Sequence, residues 1–332
     1  MQALTPLLPS RATDARATTH MHGSTMGTTW RVVLAGQPDA AQLAMLREKV
    51  LACLDDLCNQ MSHWQPDSLI SRINRAEAGW YAIPDDAFHV LSAAMTLAES
   101  TAGAFDPTIG ELAVLWGFGP GAGGTRLPPD EAACRIALAC GGWQRTQLNP
   151  QHRAIWQPGG LHFDLSSIAK GYAVDRLTQL LHTQGLHHHL VEIGGEVRAC
   201  GTNPRGSPWR VAVETPSGSQ QGNAGMTIRL TNQAVASSGN YRQWRSADGR
   251  WFGHTLDPRT GRPAIHTLRA VSVLHDSAMM ADALATTLMV LGPEAGPAYA
   301  RQRQLAAVFM CEQPDDDTGH IFWTPEFEAR AA

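Results

Sequence analysis

Short strand-like runs recur along this chain at a spacing that does not suit a doubly wound sheet. Residues 30–35, His189–Ile193, Trp209–Val213, Met226–Leu230 and residues 270–274 are rich in β-branched and aromatic side chains and are bounded by Gly, Pro, Asn or Asp. Helical periodicity appears in only a few places between them. Leu43, Leu46, Val50, Leu54 and Leu57 recur at steps of three and four, and Phe88, Leu91, Met95 and Ala98 mark a second helix over Asp85–Ser100, entered after Pro84 and ended at Gly103. Residues 168–183 and 277–291 read as two more. The result is an α+β (mixed α/β) class with hairpin-like strand spacing. No period of 20 to 50 residues repeats, which sets aside solenoids and propellers.

At 332 residues the chain can bury a sizeable core. Lys and Arg number 26 against 30 Asp and Glu, a net charge of −4, which excludes a basic sheath for nucleic acid; no nucleic-acid partner is expected. Six cysteines without a C-x-x-C pair indicate free thiols rather than a disulfide scaffold, and no His/Cys spacing among the 14 histidines fits zinc. His187-His188-His189 reads as alternating faces of a strand. The N-terminal stretch is broken by Pro6 and Pro9 and lacks a preceding Lys or Arg, so it makes a poor signal peptide. The apolar run at 278–291 is too short to span a bilayer. The expected location is the cytoplasm, or the periplasm if a leader is missing, with no transmembrane segment.

Four segments carry chemistry. In Asp164-Leu-Ser-Ser-Ile-Ala-Lys-Gly171 an acidic residue and two hydroxyls precede a helix, and Lys170 lies one turn in. Such a turn suits a phosphate or pyrophosphate at the helix N-terminus; equally, Ser166 or Ser167 caps the helix and Lys170 lies in solvent. His254-Thr-Leu-Asp-Pro-Arg-Thr-Gly261 is turn chemistry presenting His254 and Arg259, or an Asx turn in which Asp257 bonds its own backbone. Asp282 and Thr286, four apart, place two hard oxygens on one helix face, a pair that either contributes to a Mg²⁺ site or simply reflects an Asp favoured near a helix N-terminus. Gly103-Ala-Phe-Asp-Pro-Thr108, followed by Trp116 and Phe118, offers either a flat aromatic wall or ordinary core. The Gly- and Pro-rich stretch 117–129 lacks a following Gly-Lys-Ser/Thr and reads as a surface loop. Neither a nucleophile elbow nor a dinucleotide-binding glycine fingerprint is present.

Taken in order, these segments resemble the ApbE family of FAD:protein FMN transferases. The resemblance runs from Met26 to Gly292. It adds Met26-Gly-Thr28, Met61-Ser-His-Trp-Gln-Pro-Asp-Ser68 with Ser71-Arg-Ile-Asn74, Ile193-Gly-Gly195 and Ser238-Gly-Asn-Tyr241 to the four segments above. It implies an ApbE-like, T-fold-like architecture of mixed or antiparallel sheets flanked by helices. One catalytic domain would span 21–315, divisible into two subdomains that meet at the FAD site, between a disordered segment 1–20 and a tail 316–332. The implied reaction cleaves FAD at its pyrophosphate with Mg²⁺, joins FMN through its phosphate to a Thr or Ser hydroxyl of an acceptor protein, and releases AMP. An FAD pyrophosphatase and a non-catalytic FAD binder are the alternatives.

Carried over residue by residue, the resemblance puts Met26, Trp64, Ala104, Phe105, Asp106, Asp164, Lys170, Gly194, Gly195 and Leu256 around FAD. It puts Ser167 or the Ala169 carbonyl, Asp282 and Thr286 around Mg²⁺. His254 and Asp164 are the catalytic candidates, His254 as general base. Some relatives carry an acidic residue where this chain has Ala285, so a single Mg²⁺ is expected.

Overall fold

The computed structural model describes residues 17–122, 127–213, 226–240, 244–247, 250–313 and 316–331. Eight strands form one sheet, and their order in space is their order in the chain: β1 (Thr18–Thr25), β2 (Thr28–Ala35), β3 (His189–Ile193), β4 (Glu196–Cys200), β5 (Gln233–Gly239), β6 (Leu268–His275), β7 (Ala306–Gln313) and β8 (Asp316–Trp323). Every neighbouring pair is antiparallel. This is a meander into which helices are inserted, which accounts for the hairpin-like spacing of the sequence.

Both faces of the sheet are covered, and the period of two divides each strand between them. Val32, Leu34, Val191, Ile193, Val271, Val273, Ala307 and Phe309 face the larger core. Val33, Leu190, Ala270, Leu274, Ala306, Val308 and Met310 face a smaller one. The larger core is closed by helices α1 (Ala40–Met61), α2 (Asp85–Ser100), α3 (Ala169–Thr183) and α4 (Ala278–Gln302). Helix α3 lies across β3 and β4, and α4 across β5 and β6, with α1 packed on α3. The smaller core is closed by the hairpin Trp209–Val213/Met226–Leu230 and by Phe327 of α5 (Pro325–Ala331).

Several sequence expectations need correction. Regular structure begins at Thr18, inside the segment 1–20 read as disordered, because β1 pairs along its full length with β2; residues 1–16 lie outside the described residues. The expected tail 316–332 instead supplies edge strand β8 and helix α5, since β7 offers a free edge and the second core still needs Phe327. The histidine run does not alternate along a strand: β3 starts only at His189. The helix read over 277–291 kinks at Gly292 (φ 79°) and continues to Gln302, because glycine adopts the left-handed conformation that lets a second helical segment start at Pro293. Part of the loop 117–129 (residues 123–126) and Tyr241 lie outside the described residues.

Candidate active site

Two tight hairpins end side by side at one end of the sheet. Thr25-Met26-Gly27-Thr28 joins β1 to β2 with φ of 49° and 72° at its centre, and Ile193-Gly194-Gly195-Glu196 joins β3 to β4 with φ of 64° and 106°. Positive φ at both central residues is the turn whose twist matches antiparallel strands. Because β2 pairs with β3, the two tips are neighbours, and the Gly194 amide donates to the Thr29 carbonyl at 3.0 Å. A side chain on Gly194 would meet the Thr28 methyl at 2.9 Å. Gly195 donates to Glu192 Oε1 at 3.0 Å.

Helices α3 and α4 converge beside these tips. A Cβ at Gly171 would stand 2.2 Å from the Ala278 carbonyl oxygen, so only glycine permits this approach. Asp175 of α3 accepts from the Ala278 and Met279 amides (2.9 and 3.0 Å) and from the Ser277 hydroxyl (2.7 Å), capping α4 from outside the helix. The Gly171 amide in turn donates to Asp282 Oδ2 at 3.0 Å.

The result is a buried charge cluster. Lys170 Nζ lies 3.3 Å from Glu196 Oε1 and 3.7 Å from Asp282 Oδ2, and donates to the Ser166 carbonyl at 3.2 Å. Glu196 and Asp282 are 3% and 5% exposed. Burial pushes the Glu196 carboxyl up to about 7, with Lys170 opposing and Asp282 reinforcing the shift; burial raises Asp282 as well, again against Lys170. Two carboxylates share one ammonium, and Glu196 Oε2 is buried with no hydrogen-bond partner among the described residues. The cluster is therefore short of positive charge.

The solvated-lysine reading of this segment does not hold: Lys170 is in the cluster, and α3 has no side-chain cap, its N-cap being Ile168. Ser166 instead donates its amide to Asp164 Oδ1 at 2.8 Å. Asp164 also meets His63 Nδ1 at 3.4 Å. Asn74 fixes the preceding backbone by a reciprocal pair of bonds with Phe163, 2.8 and 2.9 Å. Trp64, 58% exposed, lies against His63 with ring centroids 5.3 Å apart. Ser167 is half-buried in the turn, and Ala169 opens the helix. The Thr286 hydroxyl, half-buried one turn beyond Asp282, makes no hydrogen bond among the described residues, whereas neighbouring Thr287 spends its hydroxyl on the Ala283 carbonyl.

The remaining predicted residues are held by their own surroundings. Ala104 and Phe105 are 1% and 2% exposed, with Phe105 in the main core. Asp106 accepts from the Thr108 amide and hydroxyl (2.8 and 2.6 Å) and from the Trp143 amide (3.1 Å), which closes its turn. Leu256 packs with Trp116 and Phe252 in a third, smaller core. His254 is half-buried, its ring edge-on to Phe118 at 6.3 Å. Arg259 folds back onto Asp257 through two 2.9 Å bonds, the self-contained turn. A cleft of about 530 Å³ lined by Asp85, Arg153, Arg176 and Arg198 contains none of Asp164, Lys170, Glu196 or Asp282.

Sequence reasoning assigns no role to Glu196, His63 or Asn74. His63 and Asn74 lie inside quoted motifs, and Glu196 follows the Gly-Gly turn as an acid at the start of a strand, which was the available signal.

Residues 26–309 match the ApbE family. The FAD:protein FMN transferase of Vibrio cholerae is 38% identical over 299 residues, 90% of this chain and 88% of that protein. That of Escherichia coli is 32% identical over 96% of this chain and 90% of the relative. The solved flavin transferase ApbE from Vibrio cholerae superposes with a TM-score of 0.85 at 34% identity, covering 95% of this chain and 99% of that one.

Proposed function

The chain belongs to the ApbE family, and on that premise we propose that it transfers FMN from FAD to a Thr or Ser hydroxyl of an acceptor protein, releasing AMP, with Mg²⁺ as its metal. The observation that carries this reading is the buried cluster of Lys170, Glu196 and Asp282 where the first turn of α3, the early turns of α4 and the Gly194-Gly195 tip meet.

The donor set fits a hard divalent ion. Asp282, Thr286, the Ala169 carbonyl and Ser167 offer oxygen only, and the buried Glu196 Oε2, without a hydrogen-bond partner among the described residues, supports a cation at the cluster. Bound Mg²⁺ supplies charge neutralisation to the pyrophosphate and to the departing phosphate of AMP. Lys170 holds a pyrophosphate oxygen with the charge it now divides between two carboxylates. Gly194 and Gly195 let the ligand approach the backbone, and Trp64 offers an exposed aromatic face to a flat ring. In the transfer the bond between the bridging oxygen and the FMN phosphorus breaks, a bond from the acceptor oxygen to that phosphorus forms, and AMP leaves. His254 takes the hydroxyl proton. Asp164, held by His63 and the Ser166 amide, orients the turn that carries Ser167.

Mixing the protein with FAD, Mg²⁺ and a flavin-acceptor domain tests the proposal through acceptor mass and AMP release. One FMN adduct per AMP supports transfer. Free FMN with an unmodified acceptor makes the protein a pyrophosphatase, and absence of AMP makes it a binder.

A further inference from the structure

The face of β4 turned toward α3 is polar at every second residue. Glu196 meets Lys170 and Arg198 meets Asp175, so the first two positions are ion pairs. The third position, Cys200, meets two histidines. His189 is its cross-strand partner in the β3–β4 ladder, and His182 comes from the last turn of α3. The ligand atoms of His182, His189 and Cys200 lie within 4.8 Å of one another.

His189 is fully buried and Cys200 is 2% exposed. His189 Nδ1 is 2.9 Å from the Leu186 carbonyl, which makes Nδ1 the protonated nitrogen and leaves a lone pair on Nε2. Nε2 is buried with no hydrogen-bond partner among the described residues. Leaving such an atom unmatched costs about 1–3 kcal/mol. An imidazole whose outer N–H is fixed by a backbone carbonyl while its inner lone pair faces a second imidazole and a thiol has the arrangement of a metal ligand with its supporting shell. Burial also holds the His189 pKa down to about 4, which keeps the ring neutral at neutral pH. The nearby Arg198 charge is matched by Asp175, so it is not a bare repulsive centre.

We propose that His182, His189 and Cys200 form a second metal site, specific for zinc-class ions rather than Mg²⁺, that clasps the C-terminal end of α3 to the β3–β4 hairpin. Two imidazoles and a thiolate are a borderline-to-soft set, unlike the oxygen ligands at Asp282. In tetrahedral zinc sites the ligand atoms stand roughly 3.3–3.6 Å apart. His182, the one exposed ligand of the three, can turn toward the two buried ones and gives the ion an entry path. Binding forms an Sγ–Zn bond and two N–Zn bonds, releases the thiol proton to solvent and changes no oxidation state; water fills the fourth position. A further imidazole, His187, has its ring 5.4 Å from that of His182. Twelve residues of α3, roughly 18 Å, separate Lys170 from His182, so this site and the flavin-site candidate sit at opposite ends of the same helix.

Metal-free full-length protein, held in excess Mg²⁺ to fill the oxygen site, is titrated with Co²⁺ and followed by absorbance. The expected result is one equivalent of Co²⁺ with tetrahedral visible bands and a thiolate-to-cobalt charge-transfer band, both removed by Zn²⁺. Cys200→Ser should abolish the charge-transfer band, His182→Ala should weaken Co²⁺ binding by on the order of 10-fold or more, and Asp282→Ala should leave both bands intact. Absence of the charge-transfer band, its survival in Cys200→Ser, or its loss in Asp282→Ala overturns the proposal. Should Cys200→Ser fail to fold by circular dichroism, the exposed His182→Ala variant decides: unchanged Co²⁺ affinity overturns it.

Discussion

The Gly171 amide donates to Asp282 Oδ2 across 3.0 Å, joining two helices whose contact residues stand 111 apart in the chain. The same amide is available only because Gly171 has no side chain to strike the Ala278 carbonyl. A carboxylate that is buried, bonded to a backbone amide and near a lysine is fixed in direction, which is what a metal ligand requires.

Asp282→Ala should therefore reduce FMN transfer by more than about 100-fold, while the circular dichroism spectrum stays that of the parent. Removing this carboxylate takes away one of two that share Lys170, so Lys170 and Glu196 can pair one to one and the excess of negative charge in the cluster is removed. Transfer at the parent rate would show that Asp282 is not a metal ligand.

Gly171→Ala tests the helix approach itself. The added methyl would stand 2.2 Å from a backbone oxygen and 2.8 Å from Asp282 Cβ, neither at the far end of a flexible side chain, so α3 and α4 must separate. A loss of about 3 kcal/mol in denaturant unfolding is expected, together with weakened metal-dependent transfer because Asp282 moves with α4. A loss below about 1 kcal/mol would mean that the helices separate cheaply.

Local elements were legible in the sequence where periodicity and punctuation agreed. The ranges His189–Ile193, Trp209–Val213, Met226–Leu230 and Asp85–Ser100 coincide with the observed elements because Gly, Pro or polar residues bound each apolar run. What escaped notice depends on contacts across the fold. Asp175 looks like a surface residue of an amphipathic helix, yet it caps α4, and nothing local to residue 175 encodes a cap at residue 277. Glu196 reads as a hairpin-end acid until α3 lays Lys170 over it. The segment 316–332 reads as a tail because its pairing partner, not its composition, makes residues 316–323 a strand. The family motifs were legible only as a set in fixed order, since each alone has an adequate structural use, as Asp106 and Asp257 show.

His189 makes the metal-free protein sensitive to acid. Burial lowers its pKa from 6.5 to about 4, so between those values the unfolded chain takes up a proton that the folded protein refuses. Stability is then fully present above about pH 6.5 and falls as pH drops toward 4, by on the order of 3 kcal/mol from this group. His189→Leu removes both the titration and the unmatched Nε2, so its urea midpoint in chelator should change less between pH 6.5 and pH 4 than that of the parent. An equal acid slope in the two proteins would assign the loss to other groups.

His254 separates binding from chemistry. Its ring is half-buried beside Phe118, on the segment that leads into the third core. A group that only accepts the acceptor's proton adds nothing to the ground-state grip on FAD. His254→Ala should thus lower the transfer rate at saturating FAD by about 100-fold to 10,000-fold, with FAD affinity in equilibrium titration close to that of the parent. The residual rate should rise with pH as the hydroxyl proton becomes easier to lose to solvent. Loss of FAD affinity in step with the rate would instead make His254 part of the flavin pocket, and the base would have to be sought nearer Asp164 and its partner His63.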